Sequence, residues 1–249
     1  MPRIDFNCDL GEGCGDDAAI MPWITSANIA CGAHAGDQQT MLETLRLCRA
    51  HGVVAGAHPG YADREHFGRR ERSLPHAELV ALVRDQIALM DRLAREQGLT
   101  LRHVKPHGAL YNQAAREPDI AAAIAEAVHG YDPSLLLVGL SGSVSIRAAE
   151  AVGLRTAHEV FAERGYGPDG RLLPRGTPGA VLESETAVAQ ALDLALHNTI
   201  KLHDGRTLRL QADTLCLHGD RADAAEVART LHAALTTAGV RIQPLESLR

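Results

Sequence analysis

The sequence predicts an α/β fold in which a parallel sheet closes into a β/α barrel. Short apolar runs alternate with helical patterns seven times along the chain, which is typical of parallel strands joined by crossover helices. The length of 249 residues suits a β/α barrel, for which ~250 residues is common. A doubly wound open sheet is the alternative, but no G-x-G-x-x-G motif follows the first strand to support its dinucleotide-binding version. We expect one domain, residues 1–249.

The first half of the chain contains four predicted strands. Apolar runs that end in polar or glycine-containing stretches indicate strands, and apolar residues at a spacing of three to four indicate helices. The clearest helical pattern begins after Pro75 and ends at Gly98. The predicted elements are, in order, strand 3–10, strand 26–32, helix 37–52, strand 53–60, helix 75–98 and strand 101–108.

The second half continues the alternation and adds one hairpin. Asp204 and Gly205 form a turn signal between two short polar runs, which predicts the hairpin. The predicted elements are helix 118–130, strand 134–142, helix 143–153, strand 155–163, helix 184–198, the hairpin and a further strand within 199–220, and helix 221–239.

Composition excludes several classes of protein. The net charge of -6 argues against a nucleic-acid-binding protein, which usually has a basic face. No apolar run approaches the ~20 residues of a membrane span. Acidic residues stand near the start, where a signal peptide would be apolar, so we expect a cytoplasmic protein. An odd number of cysteines, five, without paired spacing indicates neither disulfides nor a structural zinc site.

Histidines recur at the ends of predicted strands. His34, His58, His107 and His218 each occupy such an end, and each is followed within two residues by glycine. In a β/α barrel the carboxyl ends of all strands gather on one face, and that face carries the active site. The repetition therefore predicts one shared site. Histidines near helix ends, such as His129, are interpreted as structural or solvated.

The same strand ends carry groups for acid–base or metal chemistry. The candidate carboxylates are Asp9, Glu12, Asp37, Glu159 and Asp220. Neutral imidazoles with carboxylates bind divalent metals, and the same groups serve metal-free proton transfer, so both remain open. Asp37 also suits a helix N-cap. Lys105 beside imidazoles is interpreted as a base with a depressed pKa, as a binder of a substrate carboxylate, or as the partner of a local acid.

A long segment after the sixth strand has little regular pattern. It reads FAERGYGPDGRLLPRG and is too long for an ordinary connector. Long loops at the active-site face often act as lids. Arg164, Tyr166 and Arg175 are therefore candidate substrate contacts.

Six blocks of sequence resemble one known family. The blocks occur in order within residues 5–220 and read NCDLGEG, ANIACGAHAGD, GAHPGYAD, HVKPHGALYN, FAERGYGPDGRLLPRG and CLHGD. Together they resemble the LamB/YcsF family. The resemblance implies an irregular barrel of seven parallel strands, similar to that of polysaccharide deacetylases. Those deacetylases bind a metal with one Asp and two His, and Asp9, His34 and His58 are the corresponding candidates, although here the two histidines lie on different strands.

The resemblance also implies an activity and partners. Members of this family act as the A subunit of 5-oxoprolinase, which opens 5-oxo-L-proline to L-glutamate with ATP and magnesium and also includes B and C subunits. A tightly bound divalent metal is a further possibility. The alternatives are a metal-dependent deacetylase or amidohydrolase that acts alone, and a non-catalytic subunit that binds a small carboxylate.

The pattern at the strand ends and the family resemblance together predict a set of site residues. The predicted catalytic residues are Asp9, Glu12, His58, Lys105, His107, Glu159 and His218. The predicted substrate-binding residues are Asn7, His34, Tyr111, Asn112, Arg164, Tyr166, Arg175 and Asp220.

Overall fold

The computed structural model describes residues 1–220 and 222–245, and within them a ring of parallel strands is surrounded by helices. The strands are β1 (Arg3–Leu10), β2 (Ser26–Ala30), β3 (Val54–His58), β4 (His103–Val104), β5 (Leu136–Leu140), β6 (Arg155–Phe161), β7 (Thr199–Lys201), β8 (Thr207–Arg209), β9 (Thr214–His218) and β10 (Arg241–Ile242). The helices are α1 (Asp17–Ile20), α2 (Gln38–His51), α3 (His76–Glu96), α4 (Gly108–Ala114), α5 (Pro118–Tyr131), α6 (Val144–Ala151), α7 (Ser184–His197) and α8 (Ala224–Thr237).

The sheet closes because β1 pairs with two barrel neighbours. The order is β1-β2-β3-β4-β5-β6-β9, and β9 returns to pair with β1 in parallel from Asp5↔Thr214 to Asp9↔His218. Seven parallel strands therefore form a closed barrel, which confirms the predicted fold, and the open-sheet alternative is wrong. The short β10 adds to the start of β1, and β7 and β8 form the predicted hairpin outside the barrel.

The helices bury one face each against the barrel. In α3 the buried residues Leu79, Val83, Ile87, Met90 and Ala94 recur every three or four positions, which places them on one stripe of the helix. Most of the polar residues between them face outward, whereas Gln86 and Asp91 are buried. None of the helices that the structure describes is long and apolar enough to cross a membrane.

Capping residues set the ends of α2. The Asp37 carboxylate accepts a hydrogen bond from the Thr40 amide at 2.9 Å, which satisfies one of the free amides of the first turn. Gly52 ends the helix with a φ of 68°, a left-handed conformation that glycine adopts without strain. The interpretation of Asp37 as an N-cap is therefore confirmed.

The largest departure from prediction lies at residues 101–108. The expected strand shrinks to the two residues of β4, because Pro106 has no amide hydrogen to continue the ladder. Gly108, with a φ of 54°, then begins α4, which the sequence pattern did not predict. Four other short elements were also missed: α1, β10 and two 3-10 helices, Met21–Trp23 and Arg64–His66. The predicted start of the last helix at residue 221 lies outside the described residues.

Candidate active site

The carboxyl ends of the barrel strands open into one cavity of about 370 Å³. Strand ends from across the barrel and the loop after β6 form its wall. Nine predicted site residues line it: Asp9, His58, Lys105, His107, Tyr111, Asn112, Arg164, Arg175 and His218. The other six lie behind this wall or beside it: Asn7, Glu12, His34, Glu159, Tyr166 and Asp220.

Lys105 is a buried ammonium group held between two acids. Its Nζ lies 2.7 Å from Asp9 Oδ1 and 2.8 Å from Glu159 Oε1, and it also donates to Cys216 Sγ at 3.1 Å. Burial opposes the charge, but Asp9, Cys216 and Glu159 outweigh it and raise the pKa of Lys105 well above its usual value. The interpretation of Lys105 as a base with a depressed pKa is therefore wrong. Lys105 is a fixed cation paired with local acids.

Amide side chains beneath the cavity fix the two acids. Asn28 Nδ2 donates to Asp9 Oδ1 at 2.8 Å and to Asn7 Oδ1 at 2.7 Å. Asn7 Nδ2 in turn donates to Glu159 Oε1 at 3.1 Å. His103 Nε2 lies 2.8 Å from Asn28 Oδ1, and because that oxygen only accepts, His103 donates. Asn7 therefore positions Glu159 from below the cavity.

Asn28 and His103 were not predicted as site residues. Asn28 is a polar residue in the middle of a fully buried strand, between Ala27 and Ile29, which is the signal that would have identified it. His103 precedes Lys105 by two residues and therefore shares its side of the strand segment.

Three histidine rings and Glu12 form a buried cluster next to Asp9. The rings of His34 and His107 stack with centroids 3.7 Å apart, and His58 packs edge-on against both. His107 Nδ1 lies 3.0 Å from His58 Nε2 and 3.4 Å from Glu12 Oε1. Burial, reinforced by His58, lowers the pKa of His34 to about 2, and burial also lowers that of His107. Burial and the charge of Asp9 raise the pKa of Glu12.

This cluster can hold a metal ion. One ligand atom from each of Glu12, His34, His58 and His107 lies within 4.8 Å of every other. The metal ligands suggested by the resemblance were Asp9, His34 and His58. In the structure Glu12 joins the histidines, while Asp9 is bonded to Lys105 and Asn28.

His218 is oriented by a carboxylate that the sequence reasoning missed. Its Nδ1 bonds to Glu163 Oε1, and its Nε2 lies 4.0 Å from Asp9 Oδ2. Burial of Glu163 opposes its charge, but His218 outweighs burial and lowers the pKa of Glu163. The ring is also stacked on Phe161, with centroids 5.5 Å apart. In the neutral form that donates to Glu163, His218 keeps the Nε2 lone pair free at the cavity wall, as a proton acceptor requires.

The loop after β6 brings two guanidinium groups to the cavity. Arg164 donates from Nε to the Ala180 carbonyl at 2.9 Å and from Nη2 to the Leu173 carbonyl at 2.7 Å. Burial and the neighbouring charge of Arg175 lower the pKa of Arg164 to about 10. Neither arginine forms an ion pair with a carboxylate among the described residues. Two adjacent cations without such a partner favour an anionic ligand.

Four other predicted residues have different surroundings. Tyr166 lies behind Phe161, where its hydroxyl accepts a hydrogen bond from the Phe161 amide at 2.8 Å. Tyr111 packs edge-on against Phe161 in the cavity wall, and burial and Glu159 raise its pKa. Asp220 pairs with Arg69 at 2.5 Å and lines a smaller adjacent cavity. Asn112 is exposed at the mouth.

Two known proteins are similar to this chain over nearly its whole length. The A subunit of 5-oxoprolinase from Erwinia tasmaniensis is 50% identical over 241 residues, which cover 96% of this chain and 98% of that protein. The crystal structure of a lactam utilization protein from Thermus thermophilus is 44% identical, with a TM-score of 0.92 over 97% of this chain and 99% of that one.

A more distant likeness concerns the fold alone. The peptidoglycan deacetylase PdaC from Bacillus subtilis is 12% identical, with a TM-score of 0.51 over 98% of this chain and 87% of that one. The family model that describes the LamB/YcsF family matches residues 4–249. With the matching sequence blocks, the closed barrel and the relatives at 44–50% identity, the chain belongs to the LamB/YcsF family.

Proposed function

We propose that this chain is the A subunit of an ATP-dependent 5-oxoprolinase and that its cavity holds the lactam while the ring is opened to L-glutamate. The observation that carries the proposal is the cavity itself, which combines a carboxylate-oriented imidazole, a fixed ammonium group and two arginines without carboxylate partners. The relatives, one named for 5-oxoprolinase and one for lactam utilization, support the choice of substrate.

The chemistry of the substrate explains the need for ATP. A five-membered lactam is an unactivated amide, and its opening is only weakly favourable near neutral pH. Transfer of the γ-phosphoryl group of ATP to the lactam oxygen makes the ring carbon electrophilic. Water then bonds to that carbon, the C–N bond breaks and the nitrogen takes up a proton. A second water releases phosphate from the resulting acyl phosphate, which leaves L-glutamate, ADP and phosphate.

The arginines bind the substrate anion. We assign Arg164 and Arg175 to the carboxylate of 5-oxoproline, because a guanidinium group matches a carboxylate with two parallel hydrogen bonds. The carbonyl groups that Arg164 contacts hold it in place before the substrate arrives. Apolar atoms of Phe161 and Leu140 in the same wall contact the ring methylenes.

Proton transfer is assigned to His218. Its Nε2 accepts a proton from the attacking water and returns it to the ring nitrogen, and Glu163 holds the ring and stabilises its charged form. The ammonium group of Lys105 stabilises negative charge that develops on the carbonyl oxygen. Asp9 supports both groups, since its two oxygens lie near Lys105 and His218.

The ATP-dependent step requires partners in this proposal. The chain has no G-x-x-x-x-G-K-[ST] loop to cradle phosphates, which is compatible with ATP and magnesium acting together with the B and C subunits. We also infer a cytoplasmic location, because all five cysteines are free thiols, as a reducing compartment favours.

Glutamate release from 5-oxoproline tests the proposal. The assay contains ATP and magnesium and is run with this chain alone, with the B and C subunits added, and with those two subunits lacking this chain. We expect turnover only in the full mixture. Turnover by the chain alone without ATP would instead identify a self-sufficient amidohydrolase, and binding of 5-oxoproline without turnover in any mixture would identify a non-catalytic subunit.

The role of His218 predicts a specific loss. His218→Gln should lower kcat by at least about 100-fold, the usual contribution of a general base, while the chain still assembles with its partners. His129→Gln, at the exposed end of α5, is the matched control and should keep full activity. Equal activity in the two variants would remove His218 from the mechanism.

A further inference from the structure

Two buried imidazoles in the cluster turn unprotonated nitrogens toward each other. His58 Nδ1 lies 2.7 Å from the Lys105 carbonyl oxygen, and His107 Nε2 lies 2.8 Å from the Phe67 carbonyl oxygen. Carbonyl oxygens only accept hydrogen bonds, so these nitrogens carry the ring protons. In neutral rings the remaining nitrogens, His58 Nε2 and His107 Nδ1, both have lone pairs. They lie 3.0 Å apart, a contact that needs a cation or an extra proton.

Glu12 and His34 also lie next to this pair of nitrogens, and both lack sufficient hydrogen-bond partners. Glu12 Oε1 lies 3.4 Å from His107 Nδ1 and 3.7 Å from His34 Nε2. Neither ring nitrogen of His34 has a hydrogen-bond partner among the described residues, and its side chain is fully buried. A buried polar atom without a partner is uncommon in native structures and calls for a ligand.

We propose that Glu12, His58 and His107 bind one divalent transition-metal ion directly. His34 does not bind the ion and instead offers a hydrogen bond within the site. Metal–nitrogen bonds of about 2.0–2.1 Å allow one ion to bridge two nitrogens 3.0 Å apart. The ring of His34 lies parallel to that of His107, within 5°, so an ion in the plane of His107 is out of the plane of His34. His34 therefore acts as a hydrogen-bond partner of the site.

One ion satisfies more groups than one proton. A proton on His58 Nε2 would serve His107 Nδ1 and Asp9 Oδ2, which lies 3.4 Å from His58 Nε2, and it would leave Glu12 and His34 without partners. The carbonyl groups that fix the outer ring nitrogens are the support that metal-binding histidines normally have. Two imidazoles with one carboxylate favour ions such as Zn²⁺, Mn²⁺, Fe²⁺ or Co²⁺ over Mg²⁺, which prefers oxygen ligands and water.

Close packing around the rings supports a preformed site. A Cβ atom at Gly60 would lie 2.7 Å from His34 Nδ1, and one at Gly68 would lie 2.8 Å from His34 Cβ and 3.0 Å from His107 Cδ2. Glycines at these positions let the backbone lie directly on the stacked rings. The rings therefore have little freedom to turn their lone pairs elsewhere.

Metal binding is measured on the untagged full chain, independently of 5-oxoproline turnover. The chain is stripped with a chelator, dialysed against Zn²⁺, Co²⁺ or Mg²⁺ in turn, and analysed for bound metal and for its thermal midpoint. We expect one Zn²⁺ or Co²⁺ per chain, a raised midpoint, and a visible Co²⁺ spectrum typical of nitrogen and oxygen ligands. We expect no stoichiometric Mg²⁺.

Substitutions locate the ion. Glu12→Gln and His107→Gln should weaken Zn²⁺ binding by at least about tenfold, and His34→Gln should weaken it less. His129→Gln is the control for a surface histidine and should bind as the wild type does. Failure of the stripped wild-type chain to bind Zn²⁺ or Co²⁺, or binding that Glu12→Gln and His107→Gln leave unchanged, would overturn the proposal. The first of these outcomes does not depend on the folding of any variant.

Discussion

At the scale of single residues, the buried charge of Lys105 needs compensation from its neighbours. Its ammonium group and the carboxylates of Asp9 and Glu159 are all buried, so each charge depends on the others for compensation. Removal of one partner from a buried ion pair commonly costs about 3–5 kcal/mol, because the remaining charge is left unpaired. We therefore expect Lys105→Met to lower the free energy of unfolding by that amount, as measured by chemical denaturation.

A double-mutant cycle separates this electrostatic cost from lost packing. Adding Glu159→Gln to Lys105→Met removes one uncompensated carboxylate and should recover part of the lost stability. The chain's only other lysine, Lys201, is exposed, and Lys201→Met should leave stability nearly unchanged. If Glu159→Gln lowers stability equally with and without Lys105, the two side chains are not coupled. Loss of activity in Lys105 variants is interpretable only after this measurement.

Some individual site residues could be predicted from the sequence and others could not. The four strand-end histidines were predicted because each is polar, follows an apolar run and precedes a glycine. Glu163 escaped prediction because its role depends on facing His218, which is 55 residues away in the chain. Cys216 escaped because a thiol inside an apolar strand is indistinguishable from an ordinary core residue. Contacts between side chains that are far apart in the chain cannot be predicted from the local sequence pattern.

At the scale of elements, β3 must lie close to the ring of His103. A Cβ atom added at Gly56 would lie only 2.1 Å from His103 Nε2. Gly56→Ala should therefore displace His103 from Asn28 and lower stability by roughly 1–3 kcal/mol, as overpacking of a core does. Gly130→Ala, in α5 with open space around the added methyl group, should be neutral or stabilise by up to about 1 kcal/mol. Thermal midpoints that fall equally in both variants would contradict the expectation.

The base of β1 gives a pH dependence of stability. Burial raises the pKa of Asp5 to about 6, against 3.8 in the unfolded chain, although Ser26, Thr214 and Thr25 donate hydrogen bonds to it. The folded state then binds the extra proton, so the stability that Asp5 contributes is present below pH 3.8 and is lost as pH rises through 6. The loss from this group is about 3 kcal/mol.

Asp5→Asn should remove that dependence. We expect the difference in unfolding free energy between Asp5→Asn and wild type to shift in favour of the variant between pH 4 and pH 7. Denaturation with urea across this range measures it. Parallel pH profiles for the two proteins would mean that Asp5 titrates normally in the folded state.

The spacing of apolar residues predicts long helices well but does not define short elements. The helices α3 and α5 have many turns, and their predicted ranges agree with the structure to within two residues. The strand predicted at 101–108 was too long, because its apolar and polar residues fit a strand end and a short helix equally well. Only the position of Pro106 and the left-handed Gly108 distinguish the two.

At the scale of the whole molecule, the barrel closes through a pairing between the first strand and the last barrel strand. Asp5 pairs with Thr214 and Asp9 with His218, so the contact joins residues more than 200 positions apart. The alternation of strands and helices predicts parallel strands, but it does not predict whether the two edge strands of the sheet pair with each other. Chain length favoured closure, and the resemblance to the LamB/YcsF family implied a barrel of seven parallel strands.

The distribution of charge over the molecule predicts how an anionic substrate binds. The chain carries a net charge of -6, yet the cavity wall includes Arg69, Arg116, Arg164, Arg171 and Arg175. Arg175 is exposed and has no carboxylate partner among the described residues, so in the proposed function it is expected to attract the substrate carboxylate through solvent as well as to bind it. Arg175→Leu should raise KM for 5-oxoproline about tenfold at low salt, with a smaller change in kcat.

Ionic strength separates this attraction from a general loss of structure. Salt shortens the screening length from about 10 Å at 0.1 M to about 3 Å at 1 M, so KM of the wild type should rise with salt. The difference in KM from Arg175→Leu should narrow to the part that direct contact with the carboxylate supplies. Arg84→Leu, on the exposed face of α3, changes the net charge by the same amount and should follow the wild type at every salt concentration. A KM for Arg175→Leu that keeps its full difference from wild type in 1 M salt would show that Arg175 acts by direct contact or packing, and that long-range attraction contributes nothing.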